Sequence, residues 1–296
     1  MRNITVFQVK GKAHHLGRRT WLMGIVNVTP DSFYDGGRYL NADRAVEHGL
    51  RLAAEGADIL DIGGESTRPG SDPIPAEEER RRVVPVVAGL RRETDRLISV
   101  DTSKLEVAAA ALDAGADIIN DISAFSLDPR LLLLAAEKDA GFIMVHMKGI
   151  PKTMQLHPRY ENVIEEIRSF LADKIEIARA YGLSERNLII DPGIGFGKGL
   201  EDNLALLNGL EALAGLGRPI LLGVSRKSFI GKILDAPAEE RLEGTIAAAV
   251  IGVVRGGHIL RVHDVKAVER AVRVAEAILN APPDTTPNQE KAGYVH

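Results

Sequence analysis

The chain has 296 residues, of which 45% are hydrophobic and 26% are charged, so it can form a sizeable core and a charged surface. The formal net charge of -4 at pH 7 argues against broad binding to nucleic acid or to a membrane surface, which needs a basic excess. The sequence has no cysteine, which excludes disulfides, thiolate nucleophiles and Cys-ligated metals. No run approaches the about 18 apolar residues of a membrane helix, and residues 1–5 lack an apolar signal segment, so we expect a cytoplasmic protein.

Residues 4–15 are predicted to form a β-hairpin with a Lys-Gly-Lys turn. After it, short β-branched or aliphatic runs alternate with amphipathic segments. The runs predict strands near 21–26, 58–62, 97–100, 117–120, 142–146, 187–190, 219–223 and 258–262. The amphipathic segments predict helices near 42–55, 77–92, 104–114, 129–139, 160–181, 201–214, 239–255 and 265–280.

Eight strand–helix alternations with right-handed crossovers predict a single (β/α)8 TIM barrel, an α/β fold. We expect the barrel to span residues 17–281, with the hairpin of residues 1–16 packed on its floor. Residues 282–296 are polar and proline-containing, and we expect them to form a flexible tail.

Polar residues gather where the predicted strands end. They are Asn27, Asp61, Glu65, Asp101, Asn120, Asp121, His146, Asp191, Ser225, Arg226, Lys227, Arg261 and His263. A polar residue at one strand end commonly caps the next helix. Polar residues at all eight ends are better explained by an active site, because these ends converge on one rim of a barrel.

Two loops on this rim are long for βα connections. Residues 29–37 follow the first barrel strand, and residues 65–73 follow the second. Long loops on a barrel rim often act as lids, so we expect both to close over a ligand. Arg68 places a cation on the second loop.

The segment Asp191–Gly199 is rich in glycine but matches neither nucleotide fingerprint. It lacks the G-x-G-x-x-G spacing, and Pro192 stands where a Walker A loop needs its first glycine. We interpret the glycines as room for a flat ligand close to the backbone.

The loops after the seventh and eighth strands favour a phosphate site, because barrels commonly bind phosphate there. Arg261 and His263 are two apart on a strand and therefore share a face. A zinc hydrolase is disfavoured because only His146 and His263 fall at strand ends. Asn27 offers an amide oxygen, which suits Mg²⁺ shared with a phosphate.

Five blocks in one order resemble the dihydropteroate synthase family over about residues 22–265. They are Met23–Phe33, Gly64–Gly70, Asp191–Phe196, Ser225–Ser228 and Arg261–Asp264. The resemblance implies a transferase of folate biosynthesis that joins 7,8-dihydropterin-6-ylmethyl diphosphate to 4-aminobenzoate and releases diphosphate. It also implies a homodimer, Mg²⁺ as cofactor and sulfonamides as inhibitors.

The resemblance carries roles onto the matching residues. Catalytic roles fall on Asp101, Lys227, Arg261 and His263. Pterin contacts are implied for Asp101, Asn120, Asp191, Phe196, Gly223, Lys227 and Arg261. Diphosphate contacts are implied for Asn27, Arg68, Arg261 and His263, with Asn27 also holding the metal. Aminobenzoate contacts are implied for Phe33, Thr67, Pro69, Lys227 and Ser228.

A dissociative reaction is the mechanism we expect, because the arylamine is a poor nucleophile and no strong base is evident. The partner of the benzoate carboxylate stays open between Arg68, Lys227 and a helix N-terminus. Two rival functions are a methyltetrahydrofolate:corrinoid methyltransferase on the same barrel and a non-catalytic pterin-binding protein. The two loop blocks and Ser225–Ser228 favour the synthase.

Overall fold

A nearly closed barrel of eight parallel strands forms the centre of the molecule. The computed structural model describes residues 3–28, 38–66, 71–149, 153–154 and 158–282, without the side chains of 38–41. The strands are β1 (Thr5–Val9), β2 (Lys12–Leu16), β3 (Trp21–Asn27), β4 (Ile59–Gly63), β5 (Leu97–Asp101), β6 (Ile118–Asp121), β7 (Gly141–Val145), β8 (Leu188–Asp191), β9 (Leu221–Leu222) and β10 (Ile259–Val262).

The barrel strands pair in the order β8-β7-β6-β5-β4-β3-β10-β9. A single parallel bridge between Ile190 and Ile220, with a backbone bond of 3.0 Å from Ile190 N to Pro219 O, joins the two edges. The predicted eight-stranded α/β barrel is therefore confirmed. Its seventh strand is shorter than predicted, because only Leu221 and Leu222 pair with β10.

Helices follow the barrel strands and pack their apolar sides against them. Their bounds are α1 (Arg38–Ala54), α2 (Ala76–Glu93), α3 (Leu105–Asp113), α4 (Arg130–Glu137), α5 (Val163–Ala180), α6 (Leu200–Asn208), α7 (Ser228–Leu234), α8 (Leu242–Val254) and α9 (Val265–Asn280). The strands alternate between two apolar environments, as the period of two requires. Val26 and Ile62 belong to the outer core beneath the helices, whereas Met23 and Ile59 belong to the inner core.

Two helical segments differ from the predictions. The predicted helix 201–214 ends at Asn208, and a 3₁₀ segment, Leu210–Leu216, follows it. Gly209 separates the two, and a Cβ there would lie 2.3 Å from Ile164 Cδ1 on α5. The short helix α7 was not predicted, since its seven residues span barely two turns and give little periodicity.

The predicted N-terminal hairpin is confirmed as the antiparallel pair β1–β2. Phe7, Val9 and Leu16 are buried in the inner core, so the hairpin fills the amino-terminal end of the barrel. Lys10 N donates to Asp139 O at 2.8 Å, just before β7 begins. The carboxyl ends of the strands are thereby left for a ligand. The domain boundaries stay a prediction, and residues 283–296 lie outside the described part of the chain.

Candidate active site

The inward-facing side chains change from apolar to polar along the strands. The inner core contains Ile59, Ile118, Ile189 and Ile259. Two residues further along, the same four strands carry Asp61, Asn120, Asp191 and Arg261. Because residues two apart on a strand share a face, these four polar groups also face into the barrel. The carboxyl-terminal mouth of the barrel is therefore lined by charge above an apolar floor.

Arg261 links two carboxylates across the barrel mouth. Its Nε donates to Asp61 Oδ2 at 2.6 Å, and its Nη2 donates to Asp101 Oδ2 at 2.7 Å. Asp61 in turn accepts from Asn120 Nδ2 at 3.2 Å. Asp61 is fully buried and Asp101 is 8% exposed. One guanidinium thus fixes two buried carboxylates on neighbouring strands.

The charge state of Asp101 is set by opposing effects. Burial raises the pKa of Asp101 to about 7, and Arg261 acts in the opposite direction. The carboxylates of Asp61, Glu79 and Asp121 raise this pKa further. Burial disfavours the charged form of Arg261 and so acts to lower its pKa. The carboxylates of Asp61 and Asp101 more than reverse this effect, so the net shift of the Arg261 pKa is upward. Arg261 stays charged, whereas Asp101 titrates near neutral pH.

Asn120 has an unused acceptor at the mouth. Its Oδ1 atom is buried and has no hydrogen-bond partner in the described part of the chain, while its Nδ2 is held by Asp61. A buried polar atom without a partner costs free energy. Asn120 therefore presents a carbonyl oxygen ready to accept a hydrogen bond from a ligand N–H.

Lys227 extends from the end of β9 across the opposite side of the mouth. Its Nζ donates to the backbone oxygen of Ile194 and lies 4.4 Å from the centre of the Phe196 ring. A Cβ on Gly223 would lie 3.6 Å from the same Nζ. Burial lowers the pKa of Lys227 to about 8, with Asp191 and Asp101 opposing the shift and Arg261 reinforcing it.

Asp191 ends β8 and turns back onto its own loop. Its Oδ1 accepts from Gly193 N at 2.7 Å. Asp191 is 4% exposed, and burial raises its pKa while Lys227 acts to lower it. The carboxylate therefore lies in an apolar wall with a single lysine as its main counter-charge.

His263 and Asn27 lie at the third side of the mouth. His263 Nδ1 lies 3.0 Å from Ser225 Oγ, which also accepts from His263 N at 3.2 Å. The oxygen Asn27 Oδ1 lies 3.7 Å from where a Cβ on Gly63 would be, and Asp101 Oδ2 lies 3.8 Å from that same point. Asn27 and His263, with His48 and Arg51 of α1, line a cavity of about 430 Å³.

Three of the predicted strand-end residues serve local structure instead of the mouth. Asp121 accepts from Ser103 Oγ and from the backbone of residues 123 and 125. Arg226 forms a two-bond ion pair with Asp264, at 2.9 and 2.8 Å. His146 packs edge-on against Phe170 of α5, with ring centres 4.8 Å apart. These contacts are the kind that the capping or packing alternative predicts.

Four of the predicted ligand-binding residues, Phe33, Thr67, Arg68 and Pro69, lie outside the described residues. Ser228 is exposed at the first position of α7, next to Lys227. The residue that the predicted roles missed is Asp61, the central acceptor of the network. Its signal was present, because it stands at a strand end in the same position as Asn120.

No group of three or more His, Cys, Asp or Glu arranged to hold a metal occurs within the described ranges. The described part of the chain therefore offers no closed cage of such ligands. Among the described helices, none is long and apolar enough to cross a membrane.

The family model for pterin binding enzymes matches residues 23–263, which includes every barrel strand except the first two residues of β3. A Synechocystis dihydropteroate synthase is 46% identical over 263 residues, covering 88% of this chain and 91% of that protein. The chain therefore belongs to the dihydropteroate synthase family.

Solved structures give the same result. A Xanthomonas albilineans dihydropteroate synthase with 4-aminobenzoic acid has a TM-score of 0.88 and 45% identity, covering 95% of this chain and 100% of that one. A Yersinia pestis dihydropteroate synthase in a sulfonamide drug complex has a TM-score of 0.87 and 42% identity, covering 93% and 100%. The predicted family and barrel are thus confirmed.

Proposed function

We propose that this chain condenses 7,8-dihydropterin-6-ylmethyl diphosphate with 4-aminobenzoate to give 7,8-dihydropteroate and diphosphate. The observation that carries the proposal is the single mouth that brings the Arg261–Asp61–Asp101 network together with Asn120, Asp191 and Lys227. This set combines acceptors for a flat heterocycle with cations for an anionic leaving group. The relatives support the same transferase activity.

The pterin ring is recognised by complementary acceptors and donors. Its N–H edge donates to the carboxylates of Asp101 and Asp191 and to the free Oδ1 of Asn120, because carboxylates only accept and an amide oxygen accepts as well. Lys227 donates to a ring acceptor on the other side. Phe196 and Gly223, which both lie close to Lys227, leave a flat space for the ring.

The diphosphate leaves towards Arg261, His263 and Asn27. Arg261 is always charged and His263 adds donors, so the negative charge that develops on the bridging oxygen is stabilised as the C–O bond breaks. Arg68 is assigned to the same task.

The metal proposal is a magnesium ion at Asn27. The gap over Gly63 between Asn27 Oδ1 and Asp101 Oδ2 leaves room there, and a single amide oxygen suits Mg²⁺, which usually keeps waters and substrate phosphates as its other ligands. When bound, Mg²⁺ neutralises charge on the leaving diphosphate.

The carbon–oxygen electron pair departs with the diphosphate and leaves a pterin-methyl cation. The dihydropterin ring delocalises this charge, and the Asp101 carboxylate stabilises it electrostatically. The arylamine nitrogen then supplies the electron pair for the new C–N bond and loses one proton to solvent. Water must be excluded while the cation exists, which is the role we assign to loops 29–37 and 65–73.

Aminobenzoate enters from the side of Lys227 and Ser228, with Phe33, Thr67 and Pro69 completing its pocket. The Xanthomonas relative holds 4-aminobenzoic acid and the Yersinia relative a sulfonamide, which supports both ligands here. We propose sulfonamides as inhibitors that compete with aminobenzoate.

The decisive test mixes the purified protein with the pterin diphosphate, aminobenzoate and Mg²⁺. We expect diphosphate and 7,8-dihydropteroate to appear in equal amounts. Omitting aminobenzoate or using Asp191→Asn is the control for unassisted hydrolysis. No product, together with methyl transfer from methyltetrahydrofolate to a corrinoid protein, would establish the rival methyltransferase.

A homodimer is the assembly we propose. An apolar groove of about 330 Å³ runs between α6, α7 and α8. Ile233, Ile251 and Leu234 on its walls are 55%, 50% and 49% exposed, more apolar surface than isolated residues usually present. Light scattering with wild type and Ile233→Glu tests this: we expect a dimer that the charge converts to monomer. A monomeric wild type would refute it.

The cysteine-free sequence fits a reducing compartment, and we therefore propose a cytoplasmic location. Fractionation of the source cells tests this, and recovery outside the cytoplasm would refute it.

A further inference from the structure

The loop of residues 193–197 lies between the ammonium groups of Lys227 and Lys198. On the mouth side, Lys227 Nζ donates a hydrogen bond to Ile194 O. On the far side, Lys198 Nζ donates to Gly193 O at 2.9 Å and to Phe196 O at 3.0 Å. The carbonyls of one short loop are thus divided between a lysine in the pocket and a lysine behind it.

Lys198 is buried although it belongs to a loop, with only 2% of its surface exposed. Besides the two loop carbonyls, its Nζ lies 2.9 Å from His146 Nδ1 and 3.4 Å from His146 O. Burial lowers the pKa of Lys198 to about 7 and that of His146 to about 3. The imidazole is therefore neutral, and in the tautomer that is protonated at Nε2 its Nδ1 accepts from the ammonium. Three N–H groups of an ammonium match the three short contacts.

The partner of Lys198 is itself fixed. The His146 ring packs edge-on against Phe170 at 4.8 Å and lies 6.2 Å from the Tyr160 ring. Tyr160 completes the attachment, because its hydroxyl donates to Gly197 O at 2.9 Å. The loop is therefore tied to the end of β7 and to the segment before α5.

Two glycines explain how closely the loop approaches the end of β7. Gly193 has a φ of +69°, and a Cβ there would lie 1.9 Å from His146 O. Gly197 has a φ of +63°, and a Cβ there would lie 2.2 Å from Lys148 O. Any other residue at either position would push the loop away from the backbone of residues 146 and 148.

We propose that Lys198 is a positioning residue for the pterin pocket. By holding the Gly193 and Phe196 carbonyls against His146, it fixes the Asp191 carboxylate through the Gly193 N–H and fixes the Phe196 ring beneath Lys227. Lys198 touches no substrate in this proposal, which rests on the proposed function of the pocket.

A merely stabilising role would not require this residue. Burying an amine is costly, and replacing a buried charged group with an apolar side chain of similar volume is often neutral or stabilising. In the sequence, Lys198 and Lys227 both appear as lysines of loops that follow predicted strands. The structure gives each its own set of loop carbonyls.

The test is Lys198→Met, which keeps the length of the side chain and removes its donors. We expect the Kd for 7,8-dihydropterin-6-ylmethyl diphosphate, measured by calorimetry without aminobenzoate, to rise about tenfold or more, because small misplacements in a site are costly. The KM for aminobenzoate should change less than about twofold, since its pocket lies on the other side of Lys227. An unchanged Kd for the pterin diphosphate would overturn the proposal.

Lys138→Met is the matched control, because it removes a lysine that bonds Asp113 on the surface at 2.8 Å, away from the mouth. It should bind and turn over like wild type. If Lys198→Met does not fold, Tyr160→Phe removes one bond to the same loop, and a Kd raised about two- to tenfold is expected. Wild-type affinity in Tyr160→Phe would then overturn the proposal.

A double-mutant cycle separates positioning from general damage. Lys198→Met and Asp191→Asn should be non-additive in pterin affinity, because both act through one loop. Additive losses would overturn the proposal. A wild-type protein that neither binds nor converts the pterin diphosphate would instead refute the proposed function.

Discussion

The guanidinium of Arg261 lies 2.7 Å from the carboxylate of Asp101, although 160 residues separate them in the chain. The contact exists because β10 and β5 both direct alternate residues into one barrel. The same guanidinium binds Asp61. Arg261 is the cation that offsets the buried carboxylates of Asp61 and Asp101, so one residue contributes both to the stability of the barrel and to the chemistry of its mouth.

Arg261→Met should therefore lower the free energy of unfolding by about 3–5 kcal/mol, because it leaves two buried carboxylates without their cation. The variant should unfold at a lower denaturant concentration than wild type. Adding Asp61→Asn should restore part of this stability and none of the activity. Urea unfolding followed by circular dichroism measures the first effect, and product formation measures the second. Full stability in Arg261→Met would mean that the network is exposed to water.

The rate should depend on pH through the two shifted groups. Burial raises the pKa of Asp101 to about 7, so the carboxylate that stabilises the cation forms as pH rises through 7. Burial lowers the pKa of Lys227 to about 8, so its charge is lost as pH rises through 8. We expect kcat/KM for the pterin diphosphate to be bell-shaped with its maximum between these values.

Lys227→Arg separates the two limbs of this profile. Arginine keeps its charge throughout the accessible range, so the fall above pH 8 should disappear while the rise through pH 7 remains. The absolute rate should drop, because the larger guanidinium does not fit the close contacts that Lys227 Nζ makes with Gly223 and Phe196. An alkaline limb that persists in Lys227→Arg would assign it to another group.

Asp191→Ala should abolish pterin binding. The carboxylate has no substitute in the pocket wall, and its loss also frees the Gly193 N–H that it holds at 2.7 Å. Calorimetry with the pterin diphosphate measures the loss, which we expect to exceed about 100-fold, as for sites built to hydrogen-bond a ligand. Normal affinity would remove Asp191 from the site.

Asn27→Ala should raise the Mg²⁺ concentration needed for half-maximal rate by about tenfold or more. The barrel should stay intact, because Asn27 stands at the last position of β3 and not in the apolar floor. Asn208→Ala, on the surface of α6, serves as the control and should leave the requirement unchanged. Equal Mg²⁺ requirements in Asn27→Ala and wild type would refute the metal assignment, and full activity in EDTA would refute any role for Mg²⁺.

Most of the fold could be predicted because the strand signal repeats eight times. All eight barrel strands and the hairpin lie within a few residues of their predicted positions. The exceptions have local causes. Gly209 stops α6 where Ile164 leaves no room for a Cβ, and α7 is too short to show a periodic pattern.

The division of the strand-end residues was harder to predict, because adjacent residues face opposite sides of the barrel wall. Asn120 faces the mouth and Asp121, one residue later, bonds the backbone of its own loop. Choosing between them requires the register of each strand to within one residue. The same limit applies to His146, which directly follows β7 and packs its ring against Phe170 of α5.

The join between β8 and β9 has a consequence for how the pocket exchanges ligands. The two strands share one bridge at Ile190 and Ile220, whereas β3 and β4 pair over five residues. Local opening costs least where backbone hydrogen bonds are fewest. We therefore expect the wall that carries Asp191 on one side and Lys227 on the other to open at a lower free-energy cost than the β3–β4 wall, which would widen the pocket on this side.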